Sequence, residues 1–453
     1  MAVASAEPVP TQVPASQAAS RPRIPSPPRD LGPIDPDAPL EIEDPSGEAL
    51  LSFFEALRRA EAALPEGRVA VVQFGDSHTA ADFGTGRLRR KLQSRFGDAG
   101  RGFLLPGRPF RSYYQRDVRL ASEGKWEVQN GLRVSAQEPF GMAGIRSISS
   151  SSKSIGTVQT CDGCGSKEAT RLELFYRSFP EGGGLKLMVD DQPHAEFSTK
   201  ESAEGPGTVG GYWSVEVPSG PHKLSVQPVG DGPVELFGVV LERDTPGVVL
   251  DALGVNGAQI LHLLRWDWSF VGEQLARRDP RLVILAYGTN ESANQSLSLD
   301  TLAANLEEAI VRVKTTVPGA SILVLGPPDR NVRERNDCDK PKKKSKKKNS
   351  PKVQPLPEGE VAPGCEWKTP LVIPEIVEVE RAVAAQQGVA FFDTYLSMGG
   401  SGSMELWNRL SPPLAQRDHT HLSKEGYEAN ADALFDALMR SYERYLTVAP
   451  PLP

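Results

Sequence analysis

The 453-residue sequence lacks any apolar run approaching the ~20 residues needed to span a bilayer, so no stretch of it reads as a transmembrane helix. It has no excess of basic residues either. Lys and Arg number 51 against 58 Asp and Glu, a net charge of −7, which gives no global attraction to nucleic acid or anionic lipid. Histidine is scarce, with six residues, and that shortens the search for a general base. Cysteine is scarcer still. Cys161, Cys164, Cys338 and Cys365 allow three disulfide connectivities, of which Cys161–Cys164 with Cys338–Cys365 closes the most local loops. A zinc site is the other use for a CxxC plus two distant cysteines. The second pair is 27 residues apart and no histidine stands at ligand spacing, so the expectation is disulfides, which favour an exported protein.

Proline (39) and glycine (42) are plentiful. Residues 1–46 are rich in Pro, Ala, Ser and Asp, contain no apolar block that could serve as a signal-peptide core, and read as a disordered linker. Beyond them, 47–63 show helical spacing. Residues 69–74 (VAVVQF) then form a short β-branched run that stops at Gly75-Asp76-Ser77, ahead of a helix-like stretch at 82–96. Further short apolar runs come at 247–253, 281–287, 320–326 and 388–393. Amphipathic stretches at 268–277, 300–316, 374–387 and 424–446 lie between and after them. Strands alternating with helices imply an α/β domain with a parallel sheet covered on both faces. From 108 to 245 the period changes to two (LELFYRS, LKLMVD, YWSVEV, VELFGVVLE), with Gly, Pro and Asp between the runs. This stretch reads as an inserted all-β, jelly-roll-like module. The discontinuous α/β domain then comprises 47–107 and 246–446. Residues 327–370 make a second interruption, with seven lysines between Lys340 and Lys348; such a block repels itself and reads as a solvated loop.

Ser77 ends the first apolar strand, at the edge of a parallel sheet where ligands bind. A helix N-cap is the plain reading for a serine there. A serine nucleophile needs a base. His194 and His222 fall in the β module, His262 falls on a helical stretch, and His78 is the immediate neighbour on a tight turn. Asp418-His419-Thr420-His421-Leu422-Ser423 precedes the last helix, which Ser423 can cap. Asp418 and His421 are three apart, so one turn can set the carboxylate against one ring nitrogen and leave the other facing Ser77. Asp393, at the end of the last strand, competes for the acid's place, although an aspartate there more often shapes the turn. Trp126, Tyr212, Trp213, Trp266 and Trp268 could stack on sugars; isolated aromatics are more often core.

Gly75-Asp76-Ser77-His78 near one end and Asp418-x-x-His421 near the other resemble the first and last blocks of the SGNH (GDSL-type) hydrolases. Leu253-Gly254-Val255-Asn256-Gly257-Ala258 and Gly288-Thr289-Asn290-Glu291 fit the two intermediate blocks, in the right order. The resemblance implies a flavodoxin-like domain and a serine esterase that needs no cofactor or metal. It implies a triad of Ser77, His421 and Asp418, with oxyanion donors from the Ser77 N–H, the Gly257 N–H (Gly254 being the other choice) and the Asn290 side-chain amide. An insert between the first two blocks, with GDSHT and GVNGA, also resembles bacterial peptidoglycan O-acetylesterases, which implies an acetylated glycan as substrate and a periplasmic or envelope location. A carbohydrate O-acetyltransferase with the same triad, and a non-catalytic envelope glycan-binding protein, are the alternatives.

Overall fold

The computed structural model describes residues 40–452 other than 112, 133–138, 161–167, 202–208, 336–337 and 339–363. Residues 1–39, the Cys161–Cys164 pair and the lysine block at 340–348 lie outside the described residues. The linker expected over 1–46 does not reach its last residues. Ile42 is buried, and Glu43 makes a two-way backbone pairing with Phe391 of the last core strand.

Val69 to Phe74 is apolar on both faces of a strand, and both faces are covered. It forms strand Arg68–Gly75, buried from Val69 onward. Four parallel strands join it in the order Gly247–Gly254, Arg68–Gly75, Pro280–Ala286, Ser321–Leu325, Ala390–Phe392. Period two sorts the side chains. Val69, Val71, Leu250, Ile284 and Leu323 pack against helices Leu51–Glu61, Gly84–Phe96 and Lys424–Leu446. Val72, Phe74, Val283, Leu285 and Val324 pack against Trp268–Arg278, Leu299–Thr316 and Val372–Gln386. The first strand has the second on one side and the third on the other. Chain direction across the sheet therefore reverses there, opening a crevice at the carboxyl ends. Gly75 is in register with both Gly254 and Ala286, so three loops leave the sheet at one level around that crevice.

Between the first two core strands the chain builds two antiparallel sheets, of six and five strands. Leu172, Leu174, Val234, Leu236 and Leu241 of one face Leu185, Leu187, Leu224 and Val226 of the other. Strand Val234–Glu242 is buried throughout because its opposite face, through Phe237 and Val240, packs on the α/β domain. The six-stranded sheet also takes strand Gly100–Leu104, which lies ahead of the boundary expected at 108. Its sequence GRGFL has two glycines and no alternation, so it carries no strand signal.

Buried charges join the two parts. Arg278, 1% exposed, bonds Asp251 of the second core strand (Nε to Oδ2, 2.6 Å) and Glu242 of the β module. Asp251 also accepts the Phe103 N–H at 2.7 Å, and Arg68 reaches Glu242 at 2.8 Å. Truncating one member of such a cluster strands the rest. Arg278→Ala is expected to cost about 3–5 kcal/mol in urea unfolding. A loss under about 1 kcal/mol, the range of an exposed pair, would show that solvent reaches the cluster.

Candidate active site

Strand Arg68–Gly75 ends in a turn capped by Asp76, whose side chain accepts the His78 N–H at 2.9 Å. Ser77 opens the one-turn helix Ser77–Ala80, so its own N–H has no acceptor within the helix. This turn packs tightly on the second core strand. A Cβ at Gly254 would lie 2.1 Å from the Ala80 nitrogen and 2.6 Å from the Asp76 oxygen. Gly254 is therefore glycine because the helix carrying Ser77 crosses it. Gly257 differs: its φ is +87°, a Cβ there would meet only Leu132 Cδ1 at 3.7 Å, an ordinary contact, and its N–H makes no hydrogen bond to a described residue.

The last helix, Lys424–Leu446, is capped by Ser423, which accepts the Gly426 N–H at 3.1 Å. The loop before it lies over the crevice. Asp418 Oδ1 accepts the Thr420 and His421 N–H groups at 3.0 and 2.9 Å, which fixes the turn. Asp418 Oδ2 stands 2.7 Å from His421 Nδ1, and His421 Nε2 stands 2.9 Å from Ser77 Oγ. Burial works to raise the Asp418 carboxyl, but the hydrogen bonds from His421 and Thr420 outweigh it and hold the group below the usual carboxylate range. A hydroxyl bonded to an imidazole that is oriented by a carboxylate is the arrangement that nucleophilic acyl transfer needs.

His419, His222 and His262 lie away from Ser77. His419, between Asp418 and His421 in sequence, turns away at φ +52°, buried against Trp367 with ring centroids 3.7 Å apart. Its Nδ1 lies 3.2 Å from Glu405 without hydrogen-bond geometry. His222 is bonded to Asp190 and to the Pro218 carbonyl, and His262 closes a capping box with Gln259. Asp393 caps helix Thr394–Ser397 and pairs with Arg381, so it has a structural occupation. Trp266 is 3% exposed, and Trp268 and Tyr212 are half-buried against the main core.

Asn290 stands at the third corner. Both hydrogens of its amide are engaged, with Asp76 Oδ2 at 3.0 Å and the Ala258 carbonyl at 2.9 Å. Any further acceptor for this amide would have to displace one of these bonds. Burial pushes the Asp76 carboxyl up to about 7, with the nearby Glu291 adding to the rise. Burial, with His421 adding, pushes His78 down to about 3. The second imidazole beside His421, with ring centroids 5.5 Å apart, is thus neutral at ordinary pH and adds no positive charge. The Tyr427 hydroxyl meets His78 Nδ1 at 3.0 Å. In the sequence His78 is only the neighbour of Ser77 on a tight turn, and Tyr427 lies on the last helix with no local signal of its own.

A cleft of about 700 Å³ adjoins the 417–421 loop, lined by Arg333, Trp367, Asn408, Arg409, Arg417 and His419 among others. Its rim carries Cys365, bonded to Cys338.

Residues 222–429 match the model of the GDSL-like lipase/acylhydrolase family, a span that holds Gly257, Asn290, Asp418 and His421 and stops short of Ser77. Among solved structures, a peptidoglycan O-acetylesterase superposes with a TM-score of 0.68 at 25% identity, over 89% of this chain and 99% of that one. A family two carbohydrate esterase from Clostridium thermocellum matches at TM-score 0.30 and 10% identity, over 70% of this chain and 98% of its own. One from Cellvibrio japonicus matches at 0.26 and 12%, over 70% and 99%. These two scores are too low for their sites to be compared with this one. No curated protein matches the sequence.

Proposed function

We propose that this carboxylic ester hydrolase, with its GDSL-like lipase/acylhydrolase domain, removes acetyl groups from a cell-wall glycan in the cell envelope, through Ser77, His421 and Asp418. The observation that carries the reading is the hydrogen-bonded chain Asp418–His421–Ser77, at 2.7 and 2.9 Å. Ser77 Oγ attacks the ester carbonyl carbon as its proton passes to His421 Nε2. The intermediate's oxyanion is received by the Ser77 N–H, the Gly257 N–H and the Asn290 amide. The C–O bond to the sugar then breaks, and the sugar oxygen leaves with the proton from His421. Water, giving its proton to His421, attacks the acetyl-serine, and acetate departs as Ser77 regains its hydrogen. Atoms balance with these residues and water alone. Asp418 holds the His421 tautomer and offsets the imidazolium that forms twice in the cycle.

The peptidoglycan O-acetylesterase that superposes over nearly its whole length supports the glycan class. The Cys338–Cys365 disulfide suits an oxidising compartment. The test is acetate release from O-acetylated peptidoglycan, compared with acetylated xylan and p-nitrophenyl acetate, together with fractionation of the cells that make the protein. The expected outcome is preference for peptidoglycan and recovery in the envelope fraction. Equal rates on all three esters would remove the substrate assignment. An acetylated product on an added oligosaccharide acceptor, in place of free acetate, would turn the reading to an acetyltransferase.

A further inference from the structure

Two loops carry the proposed oxyanion donors beyond Ser77, one through 255–260 and one through 288–291. They come from different strands and share no regular hydrogen-bond ladder. Glu291 joins them. Its Oε1 accepts the Ile260 N–H at 2.7 Å, and its Oε2 accepts the Gly288 N–H at 3.0 Å. The side chain is reached by no solvent route of consequence, the residue being 3% exposed. Around it, Gln259 Nε2 donates to the Asn290 carbonyl at 3.0 Å and Asn290 Nδ2 donates to the Ala258 carbonyl at 2.9 Å. Three hydrogen bonds thus tie the Gly257 loop to the Asn290 loop, and the Glu291 carboxylate, which makes one of them, also closes its own loop through the Gly288 N–H.

A buried carboxylate behind an oxyanion hole is electrostatically the wrong sign. It opposes the negative charge that develops in the transition state. Its presence needs a different reason, and the two backbone amides supply it. Each would otherwise be a buried donor at a loop end. A carboxylate is also the one side chain of this length that offers two acceptor atoms and no donor.

We infer that Glu291 is a positioning residue for this reaction: it clamps the 255–260 and 288–291 loops at the spacing that lets Gly257 and Asn290 address one oxyanion. The inference rests on the serine esterase reading and goes beyond it, because Glu291 touches neither the nucleophile nor the reacting atoms.

Glu291→Gln separates this role from a plain electrostatic one. Gln keeps one acceptor and turns an NH2 group toward the other backbone N–H, so either the tie to the 255–260 loop or the closure of the 288–291 loop is lost. Loss of negative charge alone would speed the reaction; loss of the clamp slows it. The expected result with p-nitrophenyl acetate is a kcat lower by about 10–100-fold, in the range that a sub-ångström to ångström misplacement costs, with KM little changed. Phenylboronic acid, which forms a tetrahedral adduct on an active serine, should lose affinity by a similar factor. Glu291→Asp, one methylene shorter, should show the same split without losing the charge. Each rate is read per folded molecule, by thermal unfolding and by the fraction of chain that a fluorophosphonate labels. That normalisation keeps the test valid if one variant is unstable. Unchanged kcat and unchanged boronate affinity in the folded fraction of either variant would overturn the inference, as would a faster Glu291→Gln enzyme. Ser77→Ala run alongside separates the two levels. Full activity in Ser77→Ala removes the esterase reading. An inert Ser77→Ala beside a normal Glu291→Gln removes only the clamp.

Discussion

Ser77→Ala is expected to lower kcat for p-nitrophenyl acetate by about 10⁵-fold or more, and His421→Ala by a similar factor. The double variant should be little worse than either alone. In the proposed mechanism the two side chains act as a unit. Without the hydroxyl there is no atom to acylate, and without the imidazole the hydroxyl keeps its proton; in a serine protease, single losses of this kind cost about as much as losing the whole triad. The 2.9 Å contact between Ser77 Oγ and His421 Nε2 puts the two within direct proton-transfer reach. What activity is left comes from binding and the oxyanion donors, about 10³–10⁴ over water in that precedent. His419→Ala is the internal comparison. Its ring stacks on Trp367 away from the serine, so any effect should appear first in stability. Multiplicative losses in the double variant would mean that Ser77 and His421 act separately.

Asp418→Asn should lower kcat by about 10²–10³-fold with KM nearly unchanged. Asn can keep the bonds that Asp418 Oδ1 accepts from the Thr420 and His421 N–H groups, so the turn survives. The amide nitrogen then faces His421 Nδ1 as a donor. That selects the tautomer whose hydrogen sits on Nε2 and points at Ser77, leaving no lone pair for the serine's proton. A buried orienting carboxylate costs about 10⁴ when treated this way. The smaller figure here follows from exposure. The Asp418 side chain is 49% exposed, so water can stabilise part of the imidazolium in its place. A variant with more than half the wild-type kcat would move the orienting role off Asp418.

The parts that were legible in the sequence are those whose signal is local. The parallel strands announced themselves as short β-branched runs, and the helices between them by amphipathic spacing. The pairing of Asp418 with His421 could be read because one turn contains both. The Ser423 cap was legible for the same reason. Strand Gly100–Leu104 was not, because it is held by its neighbour Val234–Glu242 and not by its own composition. The different surroundings of Gly254 and Gly257 were also closed to sequence, since they depend on what crosses each: the Ala80 backbone over Gly254, only the Leu132 side chain at 3.7 Å over Gly257. Glu291 stood in plain view in Gly288-Thr289-Asn290-Glu291. Its partners, the N–H groups of Ile260 and Gly288, include one some thirty residues away, and no spacing rule points to a carboxylate that serves the backbone of two loops. The Arg278–Asp251–Glu242 cluster is likewise assembled from three distant segments.

The central claim is that Ser77 is the acylated atom's owner, and labelling tests it most directly. The protein is treated with a fluorophosphonate, digested, and its adduct located by mass spectrometry. One adduct per chain, on the peptide containing Gly75-Asp76-Ser77-His78, with none in Ser77→Ala or after prior inactivation by His421→Ala, is the predicted result. An adduct on another residue, accompanied by ester hydrolysis that survives Ser77→Ala, would contradict it.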